Sequence, residues 1–383
     1  TDDLKATKIH CIVAIDEHDN IYQFKPDEID KGVEFLSKAD KLIGHNIIGF
    51  DIPVIKNLTG VNISKAKEIV DTLLISRLLK PSREGGHSLE MWGYRLGFHK
   101  SEQPDFLTYS NKMLEYCTRD VQLNKMLLVE LQKETEGFSK ESINLEHKVA
   151  EILHQQQLKG FKFDTEKAVM LLAKLQERMK EVEDEVHKVF QPKWVDEKFV
   201  TPKLKKDGTL SKSGLTDYEY AEIKKITNNM KPFMRQSLQE FNLGSRKQIG
   251  EYLQDFGWKP KTFTPTGQPI VDEAVLSRIK DIPEASLIAE YLLLQKRIAQ
   301  VESWVEAVEE DQRVHGFVIS TGAITGRMSH RNPNMAQVPS VHSPYGEECR
   351  SCWIIDKGYK LIGVDAAQLE LRMLAHYMKD EEY

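Results

Sequence analysis

The chain has 383 residues, 53 of them Lys or Arg and 59 Asp or Glu, for a formal charge of -6, a balance that neither demands nor excludes a polyanionic partner. Four cysteines, at 11, 117, 349 and 352, are too few for a disulfide scaffold, and Cys349 with Cys352 has no second pair to complete a zinc site. No apolar run reaches the length of a membrane span and the N-terminus lacks the order of a signal peptide, so a reducing, cytoplasmic setting without a membrane partner is expected, in two or three domains.

The first 130 or so residues alternate apolar runs with helical segments, which defines an α/β region. KIHCIVAID and NIYQFK read as paired strands around a turn, LIGHN as a further strand, and DIPVIKNLTG as a helix stopped by Gly60. VDTLLISRLL and DVQLNKMLLVELQKE add helical pattern. Within GHNIIGFD, Asn46 falls at a strand end and Asp51 in the first turn of the next helix, where free N–H groups also favour phosphate. In YCTRD, Tyr116 and Asp120 stand four apart and share one helical face. Carboxylates on separate elements can clamp a divalent ion, with a tyrosine hydroxyl orienting a water or a phosphate. Helix-start Asp and amphipathic Tyr also have ordinary structural roles.

Long helices are expected next, over INLEHKVAEILHQQQLKG and over DTEKAVMLLAKLQERMKEVEDEVHKVF with Asp164 as N-cap. Residues 193–237, rich in Pro, Gly, Ser and Lys, interrupt that pattern. Their KLKKDGTLSKSG segment suits an exposed basic surface near a polyanion, or a solvated, mobile loop. SRKQIGEYLQDFG resumes the helical pattern, and EASLIAEYLLLQKRIAQVESWVEAVEE puts Leu287, Tyr291, Leu294 and Ile298 on one broad face. RVHGFVISTGAITG reads as a hairpin. In the closing LIGVDAAQLELRMLAHYMKDEEY, residues 361–364 read as a short buried strand and Leu369, Leu371, Leu374 and Ala375 as the inner face of a helix. Asp365 between them is a helix cap or a hard-metal ligand.

These motifs resemble the DNA polymerase I family (family A), in the form of short phage replicative DNA polymerases. HNIIGFD is similar to its second exonuclease motif and Tyr116 to Asp120 to its Y-x-x-x-D third motif; Asp71 and HSLEMWGYRLG at 87–97 also look like that domain. TGRMSHRNPNMAQVP at 325–339, then Arg350, then VDAAQLELRMLAH resemble successive palm motifs. The resemblance implies a ribonuclease H-like 3′ to 5′ exonuclease domain over 1–137, a helical thumb over 138–318 with an irregular insertion near 193–237, and the beginning of a polymerase palm over 319–383. It implies Asp51 and Asp120 as metal ligands, Tyr116 positioning the attacking water, and Asn46 holding the terminal nucleotide. In the palm it implies Asp365 and the Ala366 carbonyl as metal ligands, and Glu370 beneath the sugar of the incoming nucleotide, with Arg372 in the same motif. Arg327, Asn334 and Gln337 would lie along the primer-template duplex, Arg350 near its phosphates, and Lys296 and Arg297 would be thumb contacts to phosphate. Mg²⁺, with Mn²⁺ as substitute, is the implied cofactor. Primer-template DNA and dNTPs are the implied partners, and the interruption at 193–237 lies near where one phage branch recruits thioredoxin as a processivity factor.

The departures are equally specific. The family's first exonuclease motif, Asp-x-Glu, is absent, and adjacent Asp2 and Asp3 would face opposite sides of a strand. A chain starting a few residues late, with little proofreading of its own, is therefore expected. No finger helix or later acidic palm motif follows Asp365, so the isolated chain is expected to bind primer-template without extending it, with a C-terminal polymerase segment missing. An exonuclease-only DNA-processing enzyme and a DNA-binding subunit of a split polymerase are the competing readings.

Overall fold

The computed structural model describes residues 6–65, 67–226 and 231–379; Asp2 and Asp3 lie outside the described residues. The chain forms two compact units, residues 1–165 with 304–383, and residues 166–303.

The first unit opens on the expected hairpin, Ile12–Ile15 antiparallel to Ile21–Phe24, whose turn is fixed by the Asp16 carboxylate accepting from the backbone of His18 and Asn20. Strand Lys41–Gly44 runs parallel to Glu68–Asp71. Ile12, Val33, Leu42, Ile47, Ile48, Ile55 and Ile63 close a core between these ladders and their helices. Helix Ile52–Thr59 stops at Gly60, which has φ 75, a left-handed conformation that a side chain would strain. VDTLLISRLL divides where the sequence pattern is uniform: Glu68–Asp71 is strand and Thr72–Leu79 is helix. The break falls at Asp71 because its side chain caps the helix, accepting from Leu73 N.

Helix Asn111–Glu134 buries Leu123, Leu127 and Leu131. Helix Lys140–Lys159 joins the same unit, since its His147 Nε2 accepts from the Asp71 backbone at 2.9 Å. The division expected at residue 137 thus falls inside this unit. The hairpin expected over RVHGFVISTGAITG forms differently. Arg313–Val314 pairs with Phe161–Lys162, and Phe317–Ile319 with Ser329–Arg331. Gly316 separates the two strands, and Met335 packs so close to it that a Cβ would clash. Phe163, Trp304 and Trp353 stack edge-on nearby.

The expectation for the last segment is corrected. Residues 361–364 form no strand, and Leu361, Ile362 and Val364 are exposed. A strand needs a ladder partner, and no described residue pairs with this stretch. Helix Leu369–Met378 does form, but Leu369, Leu371 and Leu374 are exposed instead of lining an inner face.

In the second unit Phe190, just after helix Thr165–Val189, packs on Tyr252 of helix Arg246–Asp255, and Arg178 bridges to Glu290 on helix Glu284–Glu306. On the last of these the buried stripe is Ala285, Ile288, Leu292, Leu294, Ile298 and Val301. It includes two of the four expected positions; Leu287 and Tyr291 are half-buried. The interruption at 193–237 is more regular than its composition suggests. Lys193–Val200 pairs antiparallel with Phe233–Gln239, with a register shift at Asp196/Lys198, and Asp217–Lys225 is helical. Trp194 and Phe199 remain exposed on this ribbon, so it lacks the one-sided alternation by which a strand is recognised. The lysine-rich segment folds as a tight hairpin, Leu204 opposite Leu210. Among the described residues no helix is long and apolar enough to cross a membrane.

Candidate active site

Asp71 organises the turn after Lys41–Gly44. Its buried carboxylate accepts from the backbone N–H groups of Asn46 at 2.9 Å, Ile48 at 3.2 Å and Leu73 at 3.0 Å. Asn46 is thereby held left-handed at φ 63, and Ile47–Asp51 forms a π-helical turn. That insertion sets Asp51 immediately before helix Ile52–Thr59. Gly49 is needed here, because a Cβ would come within 2.5 Å of Asn46 Oδ1. An open cleft beside the turn is lined by Asn46, Gly49, Arg77, His154, Gln157 and Ser320, among others. The Ser320 hydroxyl is buried without a hydrogen-bond partner.

Asp51 is exposed at the residue level, yet its carboxyl lies in a crowded part of the protein. Poor hydration of its charged form, then the neighbouring Asp71 charge, push its pKa up to about 7. Burial likewise raises Asp120, against the pull of Lys100. Lys100 Nζ is 2.8 Å from Asp120 Oδ2 and 4.7 Å from the Tyr116 ring centre, so helix Asn111–Glu134 presents the Tyr116 and Asp120 pair to one ammonium. The other carboxylate oxygen, Asp120 Oδ1, is buried with no hydrogen-bond partner. The Cys117 thiol is raised by the hydrogen bond it donates to Cys11, by burial, and by the charges of Asp120 and Asp51. Among the described residues no three His, Cys, Asp or Glu side chains converge as a preformed metal cage. The unpartnered Asp120 oxygen nevertheless fits a hard cation, which takes carboxylate oxygens of this kind. Lys100 had no sequence signal, since it stands in a stretch without helix or strand.

In the palm-like segment the structure brings Arg327 and Glu370 together as an exposed ion pair. Asn334 accepts from Ala336 N at 3.1 Å and so caps the turn Met335–Gln337. Arg350 Nε donates to the Pro339 carbonyl at 2.7 Å, and Arg372 Nε to the Ala367 carbonyl at 3.0 Å. Asp365 and Ala366 are exposed. On Glu284–Glu306 the two neighbouring cations part company: Lys296 is exposed, whereas Arg297 is buried and donates to Gln300 Oε1 at 2.9 Å.

The fold has a counterpart among solved structures. It superposes on the POL domain of Pol1 from M. smegmatis, solved in complex with DNA primer-template and dNTP, with a TM-score of 0.71 at 15% identity, covering 98% of this chain and 57% of that one. The DNA polymerase family A model matches residues 215–383. The DNA-directed DNA polymerase of Enterobacteria phage T3 is 30% identical over 98% of this chain and 68% of its own length. That of Escherichia phage T7 is 29% identical over 97% of this chain and 67% of its own. DNA polymerase I of Pseudomonas aeruginosa is 35% identical over 37% of this chain and 16% of its own. The chain belongs to DNA polymerase family A, a family of DNA-directed DNA polymerases, and spans little more than half of the solved structure it matches.

Proposed function

We propose that this chain is the exonuclease, thumb and palm portion of a template-directed DNA polymerase that proofreads in the 3′ to 5′ direction. The observation that carries the proofreading assignment is Asp120, whose second oxygen is buried and unpartnered beside Tyr116. Residues 1–137 are then a ribonuclease H-like exonuclease, 138–318 the thumb and 319–383 the start of the palm. Mg²⁺, or Mn²⁺ in its place, held by Asp51 and Asp120 would supply Lewis-acid activation of a water and neutralise charge on the phosphate.

Around that centre the chain's own groups have separate tasks. The Tyr116 hydroxyl orients the attacking water. Asn46, on the cleft beside this turn, would hold the terminal nucleotide, and Asp71 keeps Asn46 and Asp51 in register through its three backbone bonds. In the palm, Asp365 and the Ala366 carbonyl are the groups that would hold the ion for nucleotidyl transfer. Glu370, oriented by Arg327, lies beneath the sugar of the incoming dNTP. Arg327, Asn334, Gln337 and Arg350 follow the duplex, and exposed Lys296 contacts thumb-side phosphate; buried Arg297 serves its own helix instead. Primer-template DNA and dNTPs are the partners of this reading, and a thioredoxin-like processivity factor has a docking place on the ribbon that exposes Trp194 and Phe199. The exposed side chains of Leu361, Ile362 and Val364 suit packing against further polypeptide.

The test is Asp120→Asn in the full-length enzyme, measured by single-turnover assays of both reactions. Removal of the 3′ nucleotide should fall by about a hundredfold or more while primer extension stays close to wild type. A retained exonuclease rate sinks the Asp120 assignment, and equal loss of both rates points to misfolding.

A further inference from the structure

We infer that Lys100 is a positioning residue of this centre, an internal cation that holds the Asp120 carboxylate and the Tyr116 ring together and competes with a divalent ion for Asp120. The inference rests on the exonuclease reading and adds to it a residue acting through the assigned ligands.

Three observations converge on it. Lys100 Nζ is 2.8 Å from Asp120 Oδ2, with the two side chains only 20% and 23% exposed. The same ammonium sits 4.7 Å from the Tyr116 ring centre. Asp120 Oδ1 is buried and has no hydrogen-bond partner. A carboxylate this enclosed is costly without a counter-charge, and Lys100 provides it through one oxygen while the other stays open. A second cation arriving at the open oxygen meets the repulsion of the first, so Lys100 must weaken divalent binding. Its contact with the Tyr116 face is a second anchor that does not depend on Asp120. Lys100 can therefore yield the carboxylate and still fix the ring. Because it stands in a segment without helix or strand, that adjustment breaks no regular backbone ladder.

Mn²⁺ is the probe, titrated into the metal-free protein and followed by the paramagnetic resonance signal of the free ion. Lys100→Met should bind Mn²⁺ about tenfold more tightly than wild type, and Lys100→Arg, which keeps the charge, should stay within about twofold. In an Asp120→Asn background the Lys100→Met change should have no effect, because the coupling runs through that carboxylate. At saturating Mn²⁺, 3′-nucleotide removal by full-length Lys100→Met enzyme should nevertheless be slower than wild type, since the tyrosine has lost its anchor. Tighter metal with slower turnover is not the signature of a merely structural ion pair. If Lys100→Met lowers the folded fraction by circular dichroism, Lys100→Gln carries the same comparison. Unchanged Mn²⁺ affinity in the Lys100 variants, with Asp120→Asn still weakening it, overturns the inference and leaves the exonuclease reading standing. Unchanged Mn²⁺ affinity and unchanged nucleotide removal in Asp120→Asn overturn both.

Discussion

The tetrapeptide KLIG occurs twice in this chain, at 41–44 and at 360–363, and the two copies behave differently. The first is a strand, parallel to Glu68–Asp71, with Leu42 only 6% exposed. The second belongs to no ladder, and its Leu361 is 79% exposed. Both precede an Asp and a helix, Asp51 seven residues after the first copy and Asp365 two after the second, so both suggest a strand delivering a carboxylate. The difference lies in distant residues: the first copy has a partner strand and a core, and the second has neither among the described residues. Strand formation here is decided by what pairs with the segment rather than by its own preference.

The largest effect expected from this contrast is at Asp71, where a distant carboxylate fixes the turn after the first KLIG. Asp71→Ala strands three backbone N–H groups in a buried site, which should cost about 3 kcal/mol or more by denaturant unfolding. Asp71→Asn keeps one acceptor oxygen and should cost less. A loss below about 1 kcal/mol for the alanine variant would mean that Asn46 and Ile48 hold their conformations without it.

Next in size is the tetrapeptide itself. Leu42→Ala removes a buried side chain and should cost about 2 to 4 kcal/mol, whereas Leu361→Ala should change stability by no more than about 0.5 kcal/mol. Equal costs would show that the second copy is buried in the folded protein, and the comparison would then fail. Adding whichever polypeptide covers residues 361–364 should raise the cost of Leu361→Ala alone, which turns the pair of variants into an assay for that partner.

What was legible in the sequence follows the same division. Helices with strong periodicity, such as Asn111–Glu134 and Lys140–Lys159, declare themselves locally because their hydrogen bonds are local. Tyr116 and Asp120 could be paired from spacing alone for the same reason. Lys100 reaches Asp120 through a loop, and no periodicity encodes that. Asp71 showed its family resemblance, but its bonds to Asn46 and Ile48 span 25 and 23 positions and became visible only in the fold. The ribbon at 193–239 was missed because its strands face solvent on both sides and pair across more than 30 intervening residues, roughly the separation at which local pattern carries no register.

The smallest effect lies in that ribbon and joins a local signal to a distant one. Thr216 and Glu219 form a capping box at the start of Asp217–Lys225, set in a stretch whose composition argues for loop. Glu219 also accepts from Arg235 Nε at 2.7 Å and Nη2 at 2.5 Å. The Arg235 guanidinium, with the Thr216 backbone N–H opposing the cost of burial, holds the Glu219 carboxyl down to about 2 from an ordinary 4.5. A depressed folded pKa means that the unfolded chain takes up the proton first as pH falls. The stabilisation is therefore complete above pH 4.5 and is lost as pH drops towards about 2. Gln resembles the protonated side chain, so Glu219→Gln should lower the melting temperature at pH 7 and converge on wild type as pH approaches that lower limit. Arg235→Met should show the same convergence, because it removes the same charge pair from the other side. A melting difference that stayed constant across the range would assign Glu219 to the neutral capping bonds alone, and the distant strand would then add nothing to a helix start that its own four residues can make.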